Sequence, residues 1–169
     1  MKKVRTLLSA DLSLNLPAFS VLEVVGKKVK ILEVRYCNNK PYAKKTHAER
    51  IHRIADVTRG LMRDYPYVDV VVRERGFSRH TATTQSLFKV VGVNDLLIYE
   101  QLGIPQVHEI PPTTVKKLIT GDGKASKESV DICLRSYLVD EQKDVVFATD
   151  DCSDAVAVGI AWLLKEEII

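Results

Sequence analysis

The spacing of hydrophobic and polar positions predicts strands and helices in a definite order. Short aliphatic runs bounded by turn residues are typical of strands, whereas apolar residues repeated about every three or four positions predict helices with one buried face. Thr46 and Glu49 fit a capping box at the start of the first helix. The predicted strands cover residues 4–10, 19–25, 28–36, 68–72 and 106–110. The predicted helices cover residues 46–65, 82–99, 114–119, 127–138 and 150–165.

The order β-β-β-α-β-α-β-α-α-α predicts the fold class. Gly26-Lys27 is a turn signal between the second and third strands, which are therefore expected to form a hairpin. The later strands are separated by helices. We therefore predict an α/β fold in which helices cover both faces of a mixed five-stranded sheet. No internal repeat or linker interrupts the pattern, and residues 1–169 are expected to form a single domain.

Composition and charge exclude several classes of protein. The chain lacks a run of about 18 apolar residues, so a transmembrane helix and a membrane partner are not expected. A cytoplasmic location is expected. The cysteines Cys37, Cys133 and Cys152 are scattered, and the histidines lack the HExxH spacing, so we expect no zinc site. The net charge of +3 is by itself weak evidence for nucleic-acid binding, and the distribution of charge matters more.

Four acidic residues occupy positions where their side chains can meet. Asp11 ends the first predicted strand, and Glu74 lies just beyond the carboxyl end of the fourth, where sites form in open α/β sheets. Asp151 and Asp154 are three residues apart in the first turn of the last helix, which places them on one face. Taken singly, each has an ordinary alternative: a helix cap or turn for an aspartate, and a surface ion pair for Glu74.

Taken together, the four carboxylates predict a site for divalent metal ions. Mg²⁺ and Mn²⁺ prefer oxygen ligands, chiefly carboxylates, waters and substrate phosphate. Unpaired carboxylates that converge in a dry site repel each other at a cost of several kcal/mol, roughly, unless cations compensate them. Two cations about 3.5–4 Å apart can activate a water and stabilise the leaving oxygen of a phosphodiester. We therefore expect a Mg²⁺-dependent phosphodiester hydrolase in which Mn²⁺ can substitute.

The acidic motifs and one basic motif together resemble the RuvC family of RNase H-like nucleases. The last helix reads D-x-x-D-A-x-A-x-G, close to the family's D-x-x-D-A-x-A-x-A. Residues 115–121 resemble the family's V-K-x-x-x-x-G segment, and Lys127 resembles its downstream lysine. The matching segments, which together span nearly the whole chain, are Ala10-Asp11-Leu12-Ser13, Glu74-Arg75-Gly76-Phe77, residues 115–121 with Lys127, and residues 151–159.

The resemblance implies an RNase H-like fold and a DNA endonuclease that resolves four-way (Holliday) junctions by paired nicks. The family's first acid is usually preceded by Gly-Ile and followed by Pro-Gly, whereas Ala10 and Leu12-Ser13 stand here. This departure suggests a phage-encoded branch, which would act in the host cytoplasm. The resemblance implies metal ligands that are also catalytic at Asp11, Glu74, Asp151 and Asp154, and a further catalytic residue at Lys127.

Basic residues flank the acidic motifs and are candidates for DNA contacts. DNA phosphates require such positive charge, although lysines are commonly no more than solvated surface. Phe77 is a candidate to stack on an unpaired base, with packing beneath its loop as the alternative. Arg73 belongs to the same basic cluster, and Trp162 is expected in the core. The predicted DNA-binding residues are Arg75, Phe77, Arg79, Lys116, Lys117, Lys124 and Lys127.

A homodimer and several related activities follow as expectations. A four-way junction has approximate two-fold symmetry, and the helix over residues 82–99 is apolar enough to pack against a second copy, or else to serve the monomer core alone.

Two functions besides a junction resolvase stay open as alternatives. They are a broader nuclease for forks, flaps or hybrids and a non-catalytic nucleic-acid-binding module. An actin-like phosphotransferase needs two lobes, for which 169 residues are too few.

Overall fold

A five-stranded mixed sheet organises the computed structural model, which describes residues 4–76 and 80–169. The strands run in the spatial order β3-β2-β1-β4-β5. β1, β2 and β3 pair antiparallel, whereas β4 pairs parallel with both β1 and β5, so the predicted mixed sheet and hairpin are confirmed. The strands are β1 (Thr6–Asp11), β2 (Ala18–Val25), β3 (Lys28–Tyr36), β4 (Val70–Glu74) and β5 (His108–Ile110).

Helices cover both faces of this sheet, as predicted. Because side chains alternate across a strand, Leu7 packs with Val156 on one face, while Leu8 packs with Ile54 and Ile98 on the other. The first face carries α3, α4 and α5, and the second carries α1 and α2. The helices are α1 (His47–Asp64), α2 (Thr81–Leu102), α3 (Pro112–Thr120), α4 (Lys127–Leu134) and α5 (Asp150–Lys165).

The boundaries of two helices show where local sequence sufficed and where it did not. The capping box predicted at Thr46 and Glu49 is present and starts α1. The helix predicted over residues 127–138 is shorter, because α4 ends at Leu134 and a 3₁₀ turn follows. Val139 donates its backbone N–H to the carbonyl of Val29 at 3.0 Å, so pairing with β3 takes the chain out of the helix.

A tight contact fixes α5 on the sheet. A Cβ placed on Gly159 would lie 2.5 Å from Cδ1 of Leu22 and 2.7 Å from Oγ of Ser9, so the helix backbone lies almost on the strands. Nearby, the Ser9 hydroxyl donates to the Ala155 carbonyl at 2.8 Å, and all of these groups are buried. Apolar packing and a buried hydrogen bond therefore set the position of the first turn of α5 relative to the end of β1.

Trp162 lies in the core, as predicted, and its ring centroid is 5.2 Å from that of His108. This contact joins the last turn of α5 to β5. Among the described residues, no helix has both the length and the hydrophobicity needed to cross a bilayer.

The C-terminus of α5 gives a prediction about stability. Glu167 has φ 55°, a left-handed conformation, and the N–H groups of Glu167 and Ile168 donate to the carbonyls of Leu164 and Leu163 in a Schellman arrangement. Because glycine adopts this conformation without the Cβ penalty, Glu167→Gly should raise the free energy of unfolding by about 1 kcal/mol. The matched change Glu166→Gly, at a residue with φ −89°, should give no gain. Urea unfolding of both variants measures the difference, and equal effects would contradict the interpretation.

Candidate metal centre

Three aspartates from two elements converge at one edge of the sheet. Asp11 is the last residue of β1, and Asp151 and Asp154 lie in the first two turns of α5. Each residue offers one carboxylate oxygen, and the three oxygens lie within 4.8 Å of one another. The structure therefore brings together three of the four acids that the sequence analysis selected, in a spacing that one small cation can bridge.

Glu74 reaches the same place from a neighbouring strand. β4 pairs in parallel with β1, with Arg73 opposite Ala10, so Glu74 comes beside Asp11 at the end of the sheet. Glu74, Asp11 and Asp154 line one cavity of about 260 Å³. The fourth acid thus faces the cavity without belonging to the tight group of three oxygens.

Burial and mutual repulsion raise the pKa values of Asp11, Glu74 and Asp154. Burial, followed by the charges of Glu74, Asp154 and Asp151, raises the pKa of Asp11 from 3.8 to about 8. Burial and the charge of Asp154 raise the pKa of Glu74 to about 7. Burial also raises the pKa of Asp154, although Lys127 opposes the shift. The protein alone therefore does not supply enough positive charge to keep all the acids ionised at neutral pH.

Lys127 forms an ion pair with one of the aspartates. It begins α4, and its Nζ lies 2.5 Å from Oδ2 of Asp154. Burial alone would lower the pKa of Lys127, but the hydrogen bond and the charge of Asp154 outweigh it and raise that pKa. The ammonium group therefore stays charged beside the acids, where it can meet a phosphate oxygen.

The other basic residues divide into two groups. Lys116 lines the cavity with Glu74, and Lys117 and Lys124 are exposed. Arg75 is mostly exposed and forms an ion pair with Glu109 at 3.3 Å. All four therefore remain candidates for DNA contact. Phe77 and Arg79, which are also predicted DNA contacts, lie outside the described part of the chain.

Arg73 does not fit the DNA-contacting cluster in which the sequence analysis placed it. Its side chain is buried and forms ion pairs with Asp95 and with Glu109, the latter at 2.7 Å. Strand alternation explains the difference, because neighbouring residues of β4 point to opposite faces and only Glu74 lines the cavity. Arg73 is therefore a structural residue.

Sequence reasoning missed a second group of residues beside the acids. A cavity of about 460 Å³ is lined by Asp11 and Glu74 and also by Asn15, His47 and Arg50. The only signal was the position of Arg50, four residues before the buried Ile54 on the core-facing side of the first helix. An arginine at such a position is easily taken for a solvated residue at the margin of the helix face.

Several known proteins of similar sequence are crossover junction endodeoxyribonucleases. The sequence matches the RuvC crossover junction endodeoxyribonuclease from Heliobacterium modesticaldum at 29% identity over 154 residues, 91% of each chain. It matches the one from Paramagnetospirillum magneticum at 31% over 121 residues, 72% of this chain and 69% of that one. The comparisons give no support to the phage origin that the departures from the motif suggested.

Solved structures share the fold and confirm the predicted RNase H-like architecture. A Thermus thermophilus RuvC structure superposes with a TM-score of 0.82 at 21% identity and covers 96% of both chains. T. thermophilus RuvC in complex with a Holliday junction substrate gives the same TM-score at 20% identity and covers 97% of this chain and 96% of that one. The profile of the family described as crossover junction endodeoxyribonuclease RuvC matches residues 7–162, so this chain belongs to the RuvC family.

Proposed function

We propose that this chain is a Mg²⁺-dependent endodeoxyribonuclease that resolves four-way DNA junctions by paired nicks. The observation that carries the proposal is the meeting of carboxylates from β1, β4 and α5 beside one small cavity, with Lys116 and Lys127 at its wall. The names of the bacterial relatives and the junction-bound neighbour support junction DNA as the substrate.

The residues at the cavity fit a divalent cation. Their ligand atoms are hard carboxylate oxygens, and burial together with the neighbouring carboxylates raises the pKa of Asp11, so its negative charge is poorly compensated by the protein alone. In this proposal the tight group of three aspartates holds the metal, and Glu74 completes the site from β4. When bound, Mg²⁺ or Mn²⁺ lowers the pKa of a water molecule and stabilises charge on the leaving oxygen of the phosphodiester.

The basic side chains then have separate roles. Lys127 is held against Asp154 and can offset negative charge on the phosphate in the transition state, while Lys116 lines the same cavity. Arg75, Lys117 and Lys124 lie farther out and would bind backbone phosphates. Phe77 and Arg79 remain predicted DNA contacts from their place in the sequence, next to Glu74.

The proposal is tested by cleavage of a panel of DNA substrates that share the same arm sequences. With Mg²⁺, the protein should nick a four-way junction symmetrically and should cut a fork, a flap and a duplex more slowly. In EDTA it should cut none of these substrates. Equal cleavage of forks or flaps would indicate the broader nuclease. Junction binding without cleavage at any Mg²⁺ or Mn²⁺ concentration would indicate a non-catalytic binding module.

Paired nicks call for two active sites, and α2 supports a homodimer. Phe88, Leu96 and Tyr99 lie along this helix and are 61%, 55% and 60% exposed, an unusual concentration of large apolar side chains. A symmetric dimer built through such a face would present two metal centres to a two-fold symmetric junction. We therefore propose that α2 pairs with its copy in a second protomer.

The dimer proposal predicts the effect of one charge. Leu96→Lys should weaken self-association by at least about thirtyfold, roughly 2 kcal/mol, because it buries an ammonium in an apolar interface. The free energy of unfolding of the monomer should change little, since Leu96 is exposed. Light scattering over a concentration series measures the change, with Tyr67→Lys, at a 58% exposed residue of another segment, as the control. A wild type that is monomeric at high concentration contradicts the proposal.

A further inference from the structure

The cavity between α1 and Asp11 is lined by a buried arginine that forms no ion pair with the described carboxylates. Arg50 is 7% exposed and lines the cavity of about 460 Å³ together with His47 and Asn15. Asp11 and Glu74 line the same cavity, so it adjoins the proposed metal centre. A buried charged side chain at this location calls for an account of what compensates it.

The hydrogen bonds of Arg50 leave much of its guanidinium unused. Nη2 donates to the carbonyl of Leu14 at 3.4 Å and to Oδ1 of Asn15. Nε is buried and has no acceptor. Over residues 4–76 and 80–169, no carboxylate lies within 4.0 Å of the guanidinium. Neutral acceptors alone compensate a buried cation poorly, at a cost of several kcal/mol, roughly.

Arg73 shows how the same fold treats another buried arginine. Arg73 is 8% exposed, much like Arg50, but two carboxylates, those of Asp95 and Glu109, neutralise it. Asp11 and Glu74 line the cavity with Arg50 but form no ion pair with it within 4.0 Å. Arg50 therefore differs from a residue kept only for a structural ion pair.

We propose that Arg50, with His47 and Asn15, forms a phosphate-binding pocket that holds a backbone phosphate of the DNA strand next to the phosphate that is cut. A guanidinium fork matches two phosphate oxygens, and the binding of an anion would give the buried cation its missing partner. Thr83 and Ser86 of α2 add hydroxyl groups to the lining of the pocket. This inference rests on the proposed nuclease function for the identity of the strand, but the pocket itself does not require cleavage.

The first test compares the salt dependence of DNA binding by two variants. Arg50→Gln removes the charge, and Arg53→Gln is the matched control, because Arg53 lies one turn later on α1 and donates to Asn39. Each phosphate contact contributes about 0.9 to the slope of log K against log[salt] for duplex DNA. The slope is negative. With a synthetic four-way junction in EDTA, Arg50→Gln should reduce its magnitude by about 1, while Arg53→Gln leaves it unchanged.

The second test uses inorganic phosphate alone. At constant ionic strength, phosphate in place of chloride should raise the Tm of the wild type and of Arg53→Gln but not of Arg50→Gln. Should Arg50→Gln fail to fold, Arg50→Lys replaces it; this variant keeps the charge but loses the fork, and its Tm rise should be smaller than that of the wild type.

The outcomes separate this inference from the proposed function. An unchanged salt slope in Arg50→Gln with unchanged protection by phosphate overturns the pocket, even if the wild type resolves junctions. Lost protection with an unchanged slope also overturns the proposal, since the pocket then takes free phosphate but no DNA phosphate. Both effects, in a wild type that does not cut DNA, support the pocket and refute the nuclease.

Discussion

Asp154→Asn is expected to reduce metal-dependent cleavage of a four-way junction by about a thousandfold, equivalent to about 4 kcal/mol of transition-state stabilisation. An amide cannot supply the negative charge that helps a carboxylate hold a divalent cation. The change also removes the charged partner of Lys127, whose Nζ lies 2.5 Å from the Asp154 carboxylate. Single-turnover cleavage at saturating protein measures the loss of rate separately from binding.

Binding of the junction by Asp154→Asn should be kept or should improve in the absence of metal, because one charge that repels phosphates is gone. Asp144→Asn, at an exposed residue outside the acidic cluster, is the control and should cut at the rate of the wild type. Cleavage by Asp154→Asn near the wild-type rate in Mg²⁺ would refute the assignment of α5 to the metal centre. Loss of binding together with cleavage would indicate misfolding instead.

The second large effect is a pH-dependent loss of stability in the metal-free protein. Burial and neighbouring carboxylates raise the pKa of Asp11 from 3.8 to about 8 and that of Glu74 from 4.5 to about 7. As pH rises from about 4, these groups ionise in the unfolded chain while the folded protein still holds their protons. The free energy of unfolding therefore declines between about pH 4 and pH 8, since the unfolded state binds fewer protons.

Asp11→Asn isolates this effect. In EDTA at pH 8, Asp11→Asn should be more stable than the wild type by up to about 6 kcal/mol, since the pKa shift from 3.8 to about 8 is about four units and each unit corresponds to about 1.4 kcal/mol. Near pH 4 the two should be similar. Mg²⁺ should stabilise the wild type at pH 8 and have little effect on Asp11→Asn.

Urea unfolding at several pH values, with and without Mg²⁺, measures these differences, and Asp144→Asn again serves as the control. A wild type whose stability relative to Asp11→Asn does not depend on pH would show that neither burial nor the neighbouring carboxylates penalise the ionised form of Asp11 in the folded protein. The site would then need no cation to compensate it.

Sequence reasoning recovered the parts of this molecule that depend on local rules. Alternation along β1 and the position of Glu74 at the end of β4 sufficed to place two acids at one edge of the sheet. Helical spacing sufficed for Asp151 and Asp154, and the boundaries of α5 coincide with the predicted ones. These elements carry the site, so the candidate metal centre could be predicted before its geometry was known.

The residues that escaped prediction depend on contacts between distant segments. Arg73 looked like its exposed neighbour Arg75 until Asp95 of α2 and Glu109 of β5 came beside it. Arg50 differs from other buried arginines because its guanidinium has no carboxylate partner among the described residues and its Nε has no acceptor. A missing partner leaves no pattern in a sequence. The premature end of α4 likewise follows from pairing with Val29, more than a hundred residues earlier.

The close seating of α5 on the sheet has a consequence for how the site responds to its surroundings. Because Gly159 brings the helix backbone against Leu22 and Ser9, α5 cannot shift on the sheet to move Asp151 and Asp154 away from Asp11. Lys127 offsets part of the crowding among the carboxylates, and a bound proton or a bound metal ion must relieve the rest. The two become competitors for the same oxygens, so metal affinity should weaken as the solution is acidified.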